Sequence, residues 1–258
     1  QGVECAFYAA FYRVATLGSG AGVAAIYYFN ERGVPYSKGT GLYTIEYMLH
    51  KVSIALFAGI FFILNWGYMQ KYYSQYDMTL LIGFGVTFVI AAVLLLFACS
   101  KKFHEVLLWI VRKLNRSGKL TEQVKKLEEQ CAILEDAAAT LLKRGGLIAG
   151  CILKNLLKFT FWYGIPFLIL AETGKLTLSQ GLAVTSLAMM LAAVIPAPAG
   201  IGSSEFVLTM LLAKIVGTGA AGSVALLYRF ATFVLPFVIG AVVVVLWRRV
   251  HRSTEKAA

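Results

Sequence analysis

Long apolar runs constrain this chain more than any motif in it. Four of them, residues 43–66, 78–99, 147–171 and 220–247, are each long enough to cross a hydrocarbon core of about 30 Å, for which a helix needs roughly 20 residues. A fifth, 176–195, is marginal but adequate. Two more apolar stretches are too short or too interrupted for ordinary spans: 2–30, broken by TLGSGAG at 16–22, and 196–217, which opens PAPAGIG. Lipid offers no partner for free backbone N–H and C=O groups, so runs of this length fold as helices. The expected fold is all-α, a polytopic membrane helix bundle.

Composition agrees. The chain is 59% hydrophobic with only 14% charged residues and has a mean hydropathy of +0.73. A soluble domain carries about 25% charged residues, so the soluble class is excluded, and the abundance of Leu, Ile, Val, Phe and Tyr excludes disorder. A net charge of +11 would ordinarily raise nucleic acid as a partner. Here the basic residues gather in loops between apolar runs, which is the pattern of membrane topology signals, and no nucleic acid is implied. Ten Lys or Arg lie in 100–144 and the tail after Trp247 reads RRVHR, whereas 67–77 holds one Lys and 172–175 one Lys against one Glu. The first two regions, and with them the C-terminus, are predicted cytoplasmic and the other two external. The runs 43–66 and 147–171 then point outward, 78–99 and 220–247 inward.

Residues 101–144 read as a cytoplasmic helical hairpin inserted in a single transmembrane domain, 1–258. Phe103, Leu107, Ile110 and Leu114 form one apolar seam; Leu120, Val124, Leu127, Cys131, Leu134, Ala138 and Leu141 form another. Charged outer faces and a short connection favour two arms packed on each other. Cys5, Cys99, Cys131 and Cys151 show no metal-ligand or disulfide spacing, so neither metal nor cofactor is expected. The chain opens at Gln1 without an initiator Met or a secretory signal, and an N-terminally incomplete domain is the expectation.

The stretch IPAPAGIGSSEF, 195–206, holds the most chemistry. Pro196, Pro198, Gly200 and Gly202 cannot sit in one continuous helix. Irregular backbone at membrane depth survives only where protein or a water-filled cavity satisfies it. A helix restarting at Ser203 would aim unpaired N–H groups at the break, a site for an anionic group, with Glu205 in its first turn. A simple kink or an external loop is the alternative. Arg229 lies some ten residues into the last run, where a guanidinium costs at least ~2.5–3.5 kcal/mol. It should face a cavity or pair with an acid, for which Glu205 is the candidate. The N-terminal stretch repeats the plan: Arg13 precedes a break carrying Gly18, Gly20 and Gly22. Two re-entrant segments entering from opposite faces, each followed by a long span, would form an inverted-topology repeat with a site between its halves. Lys154 and Lys158 are four apart and share a helix face; Lys158, the deeper, could meet a lipid phosphate or simply reach the interface. No motif for covalent catalysis occurs.

The segments IPAPAGIGSSEF and ALLYRFATFVLPFVIG together resemble the signature of the lysylphosphatidylglycerol synthase transmembrane, or flippase-like domain, family. That signature is a Pro-x-Pro-Gly-Gly-x-Gly-x-x-Glu stretch, then a Leu-Tyr-Arg core and a downstream Leu-Pro. Pro196, Pro198, Gly200, Gly202, Glu205, Tyr228, Arg229 and Pro236 match it; Ala199 replaces the first glycine of the pair and Ser204 stands where Arg is frequent. FYRVATLGSGAG resembles the first-half break, with Leu17 in place of a proline. The resemblance covers essentially the whole chain, with two upstream spans and a soluble synthase domain not seen in it. It implies a membrane phospholipid as partner and translocation of an anionic or aminoacylated lipid such as lysyl-phosphatidylglycerol. Arg229, Glu205, Tyr228, Arg13, Lys158 and Lys154 are the candidate lipid-contacting residues. A bacterial inner-membrane location and resistance to cationic antimicrobial peptides are implied as well. Two alternatives stay open: the membrane part of a phosphatidylglycerol lysyltransferase, and an accessory subunit for glycolipid or envelope export. A homo-oligomer or a separate lipid-synthesising enzyme is the further partner the resemblance allows.

Overall fold

The computed structural model of the chain describes residues 1–74, 82–83, 85–86, 88–90, 92–93, 96, 100–114, 121–142, 144–195 and 197–255. Among them there are eleven helices and no strand, an all-α bundle. In chain order they are α1 (Gly2–Ala15), α2 (Gly20–Asn30), α3 (Tyr36–Leu64), α4 (Trp66–Tyr73), α5 (Lys101–Leu114), α6 (Thr121–Leu142), α7 (Gly145–Leu170), α8 (Leu178–Ala192), α9 (Ser203–Val216), α10 (Thr218–Arg229) and α11 (Leu235–Glu255). The run expected at 78–99 falls largely outside the described residues; those described within it are helical. Pro196 also lies outside them.

Among the described residues three stretches are long and apolar enough to cross a membrane: Tyr36–Leu64, Pro198–Val216 and Thr218–Trp247. This corrects the sequence reading twice. The 196–217 run, expected to be too interrupted, supplies one of the three, counted from Pro198 through the irregular residues 199–202 into α9. The 176–195 run, expected to be adequate, supplies only the 15-residue α8, which rises about 22 Å and falls short of the core thickness. Every residue from 181 to 188 is buried, so α8 is hydrophobic all round because protein surrounds it. Its start is fixed locally: Thr177 accepts the Gln180 N–H and the Gln180 side chain accepts the Thr177 N–H, a reciprocal cap. The 26-residue α7 is also long enough to span, and it carries Lys154, Asn155 and Lys158 within its length.

Among the described residues two larger cores hold the bundle, with a third cluster, Phe57, Phe159, Tyr163 and Leu182, between α3, α7 and α8. The larger joins α3, α4 and α7 to α10, with Val184, Leu187, Leu208, Leu211 and Leu212 at its centre; Tyr73 reaches in from α4 and donates to the Leu211 carbonyl at 3.0 Å. The smaller joins α1, α2 and α11 through Tyr8, Tyr28 and Trp247, with Phe11 stacked on Phe237 at 5.3 Å. There α1 crosses α11 so closely that a Cβ at Gly240 would collide with the Phe7 carbonyl oxygen. The last apolar helix therefore belongs to both cores, its first half to the larger and its second half to the smaller. The arms α5 and α6 pack on each other, with Arg112 donating to Glu128 at 2.6 Å. The pair does not stand free, however: α6 also packs along α3. Of the seam, residue 120 and the side chains at 134, 138 and 141 lie outside what the structure describes.

Each of two hairpins turns at a break. In the first, Tyr28 on α2 donates to Glu4 on α1 at 2.7 Å and Arg32 bridges the same carboxylate at 3.0 Å. The start of α1 and the end of α2 are thus side by side, and the chain reverses at residues 16–19. In the second, α8 packs against α9 and the chain reverses over residues 193–202. The turns share a backbone signature. Leu17 (φ 52°) is followed by Gly18 (φ 106°), and Ala199 (φ 53°) by Gly200 (φ 69°). Among the described residues Leu17 and Ala199 are the non-glycine positions in the left-handed region, one in each break.

Candidate functional site

The breaks meet. A Cβ added to Gly18 would lie 3.2 Å from the Ala199 backbone nitrogen, so the tip of one hairpin rests against the tip of the other. Gly20 and Gly22 complete the fit of the first tip. The Gly20 N–H donates to Thr16 Oγ1 at 2.6 Å, and Gly22 lies against the Tyr43 ring.

At the second tip α9 restarts at Ser203, as the sequence predicts, but its N-terminus is not open to a ligand. Glu205 folds back and its Oε2 accepts the Gly202 N–H at 2.9 Å and the Ser204 hydroxyl at 2.8 Å. The helix supplies its own anion, which corrects the expectation of free N–H groups there. Ser203 and Ser204 both donate to the Gly200 carbonyl, at 3.3 and 2.9 Å. Ser204, where the resembled signature frequently carries Arg, therefore acts as a local tie.

Arg229 joins this tip to the last span. Its Nε lies 3.1 Å from Glu205 Oε1, and its Nη2 donates to the Ala199 carbonyl at 3.0 Å. Directly after Arg229 the helix widens into a π-turn, Phe230–Val234. Pro236 cannot donate to the carbonyl four residues back and its ring crowds that carbonyl, so the wider turn relieves the clash. The widening also places Phe233 beneath two guanidinium groups: Arg229 at 3.9 Å and Arg13 at 5.6 Å from its ring centroid.

Arg13 stands differently from Arg229. Its Nε is buried and has no hydrogen-bond partner among the described residues. Two guanidiniums thus face one ring, and Glu205 is paired to Arg229.

The remaining sequence candidates are not gathered at this point. Tyr228 is buried in the larger core, one position from Arg229 on the inner face of the helix. Lys158 lies against α3, donating to Asn155 Oδ1 at 2.9 Å and meeting His50 Nδ1 at 3.1 Å. Lys154, one turn away, is exposed. Phe233, Tyr43, Glu46, His50 and Asn155 escaped the sequence reading. For Glu46 and His50 the available signal was their i, i+4 spacing inside an apolar run. Among the described residues no group of three or more His, Cys, Asp or Glu is positioned to hold a metal ion.

Neither a curated protein nor a solved structure matches the chain. Residues 2–240 match the family described as the lysylphosphatidylglycerol synthase TM region, a span that takes in both breaks, Arg13, Glu205 and Arg229, and the chain belongs to that family.

Proposed function

We propose that this membrane protein translocates an anionic or aminoacylated phospholipid, such as lysyl-phosphatidylglycerol, between leaflets, and that the lipid phosphate is held where the two breaks meet. The observation that carries the reading is Arg13, a guanidinium with a buried, unpartnered Nε beside Arg229 and Phe233. Two guanidiniums and one carboxylate leave one positive charge uncompensated, and an arginine so placed in a membrane protein marks a substrate path. A lipid phosphate supplies the missing anion and accepts in the geometry a guanidinium offers. Arg229 contributes charge from its place on Glu205 and Ala199.

The breaks, their shared left-handed turns and the helices that follow them support an inverted repeat, the arrangement in which transporters put their site between two interrupted segments. Within this reading the domain spans 1–258, the 101–144 hairpin and the basic tail lie on the cytoplasmic side of a bacterial inner membrane, and exposing a cationic lipid outside would repel cationic peptides.

The test is leaflet exchange in proteoliposomes. With headgroup-labelled phosphatidylglycerol and lysyl-phosphatidylglycerol, the wild-type chain accelerates exchange, and Arg13→Gln lowers the rate at least about tenfold, the cost of losing one charge-assisted hydrogen bond. Exchange no faster than in protein-free vesicles, or equal rates for wild type and Arg13→Gln, overturns the reading.

A further inference from the structure

A cavity of about 440 Å³ opens between α1, α2, α3 and α7. Its walls are apolar or small, including Cys5, Ala9 and Cys151; Tyr43, Glu46 and Asn155 bring polar groups to it, and Glu46 is the ionisable carboxylate on its lining. Glu46 is the eleventh residue of α3, about 15 Å up that helix.

The acids near the two breaks divide sharply. Glu4 is taken by Tyr28 and Arg32, and Glu205 by Gly202, Ser204 and Arg229. Glu46 makes no hydrogen bond or salt bridge with any described residue. The nearby cation, Lys158, acts on its charge from a distance without closing on it: its Nζ donates to Asn155 Oδ1 at 2.9 Å and lies 3.1 Å from His50 Nδ1. A carboxylate left in an apolar-walled cavity of a membrane protein is costly and marks a place where a cation comes.

The cavity leads to the site above. Gly2, Cys5, Ala6 and Ala9 present one stripe of α1 to it, and Arg13 continues that stripe one turn, about 5.4 Å, beyond Ala9. Tyr43 stands between, lining the cavity and lying against Gly22 of the first tip. A headgroup lying along this stripe meets the Arg13 guanidinium at one end and the Glu46 carboxylate on the facing wall of α3.

We propose that the cavity receives the ammonium-bearing part of a phospholipid headgroup and that Glu46 selects for it, so that the substrate class is a lipid carrying both a phosphate and an ammonium. This rests on the phosphate reading for Arg13 and adds the second recognition element. Aminoacylated phosphatidylglycerol and phosphatidylethanolamine both have that chemistry; phosphatidylglycerol lacks the ammonium.

The experiment is competitive lipid binding to the full chain in nanodiscs, using lysyl-phosphatidylglycerol, its fully N-acetylated form, phosphatidylethanolamine and phosphatidylglycerol. Wild type is expected to bind lysyl-phosphatidylglycerol about tenfold more tightly than phosphatidylglycerol, the scale of one buried charge pair, and N-acetylation to remove the preference. Glu46→Gln should bring the lipids within about twofold of each other while phosphatidylglycerol affinity stays put; Glu46→Asp should keep the preference. Phosphatidylethanolamine grouping with the lysyl lipid assigns a general ammonium site, and grouping with phosphatidylglycerol assigns one that needs the longer aminoacyl arm. A preference that survives Glu46→Gln, or a wild type that binds the acetylated and free lysyl lipids equally, overturns the proposal. Arg13→Gln separates the two readings: it should weaken every lipid alike. If it weakens none while Glu46→Gln abolishes the preference, the phosphate reading fails and the ammonium site stands.

Discussion

The two breaks have the same backbone and opposite electrostatics. Each turns through a non-glycine residue in the left-handed region followed by a left-handed glycine, Leu17–Gly18 in one and Ala199–Gly200 in the other. Each satisfies its polar backbone locally: Thr16 Oγ1 accepts from Gly20 in the first, and Glu205 accepts from Gly202 in the second. The second then closes its charge as well, with Arg229 on Glu205 and on the Ala199 carbonyl. The first does not, and Arg13 is left over. Under the proposed function, a group that the turn does not need for its own hydrogen bonds, and that burial penalises, is explained by what it would hold and not by what it stabilises.

The largest expected effect tests that contrast on stability. Glu205→Gln leaves Arg229 without its counter-charge and weakens the cap of α9, a loss of about 2 kcal/mol, the scale of a lost charge-assisted hydrogen bond in a half-buried pair. Arg13→Gln removes a cation that has no counter-charge among the described residues and should leave stability unchanged or slightly higher. Thermal unfolding of both variants in the same detergent reads the difference; equal losses would mean that the two arginines play one structural role and would dissolve the comparison.

A second prediction acts on the contact between the tips. Gly18→Val asks a β-branched residue to hold φ near 106° with its Cβ about 3.2 Å from the Ala199 nitrogen. The strain is of order 2 kcal/mol. It should part the tips, lowering the unfolding midpoint and slowing leaflet exchange together. The same change at Gly33, whose added Cβ would meet nothing within 4 Å, carries the backbone strain without the contact. Exchange slowed equally by both would remove the tip contact from the mechanism.

The sequence made the class of fold, the places of the breaks and the Arg229–Glu205 pairing legible, because prolines, glycines and a lone deep arginine each have few physical outlets in lipid. It misjudged helix length where packing decides: an apolar run reads alike whether lipid or protein surrounds it, and α8 is of the second kind. It also missed groups whose role depends on a neighbour brought from afar. Phe233 becomes a platform only through the π-turn, which Pro236 hints at without locating, and Glu46 becomes notable only once α7 commits Lys158 to His50 and Asn155.

The smallest effect bears on the turns themselves. Ala199 holds φ 53°, a conformation that costs an L-residue roughly 1–2 kcal/mol. Glycine there removes the strain but loses more freedom on folding, about 0.5–1 kcal/mol. The net for Ala199→Gly is a stabilisation of about 0.5 kcal/mol, with the Arg229 bond to the carbonyl of residue 199 kept, since it uses only backbone. Leu17→Gly offers the same trade at the other tip, and Leu17 is an exposed side chain with little packing to lose. The two substitutions should therefore raise the unfolding midpoint by similar small amounts. If Leu17→Gly stabilises and Ala199→Gly destabilises, the Ala199 methyl is a packing element between the tips, and the turns are alike in backbone only.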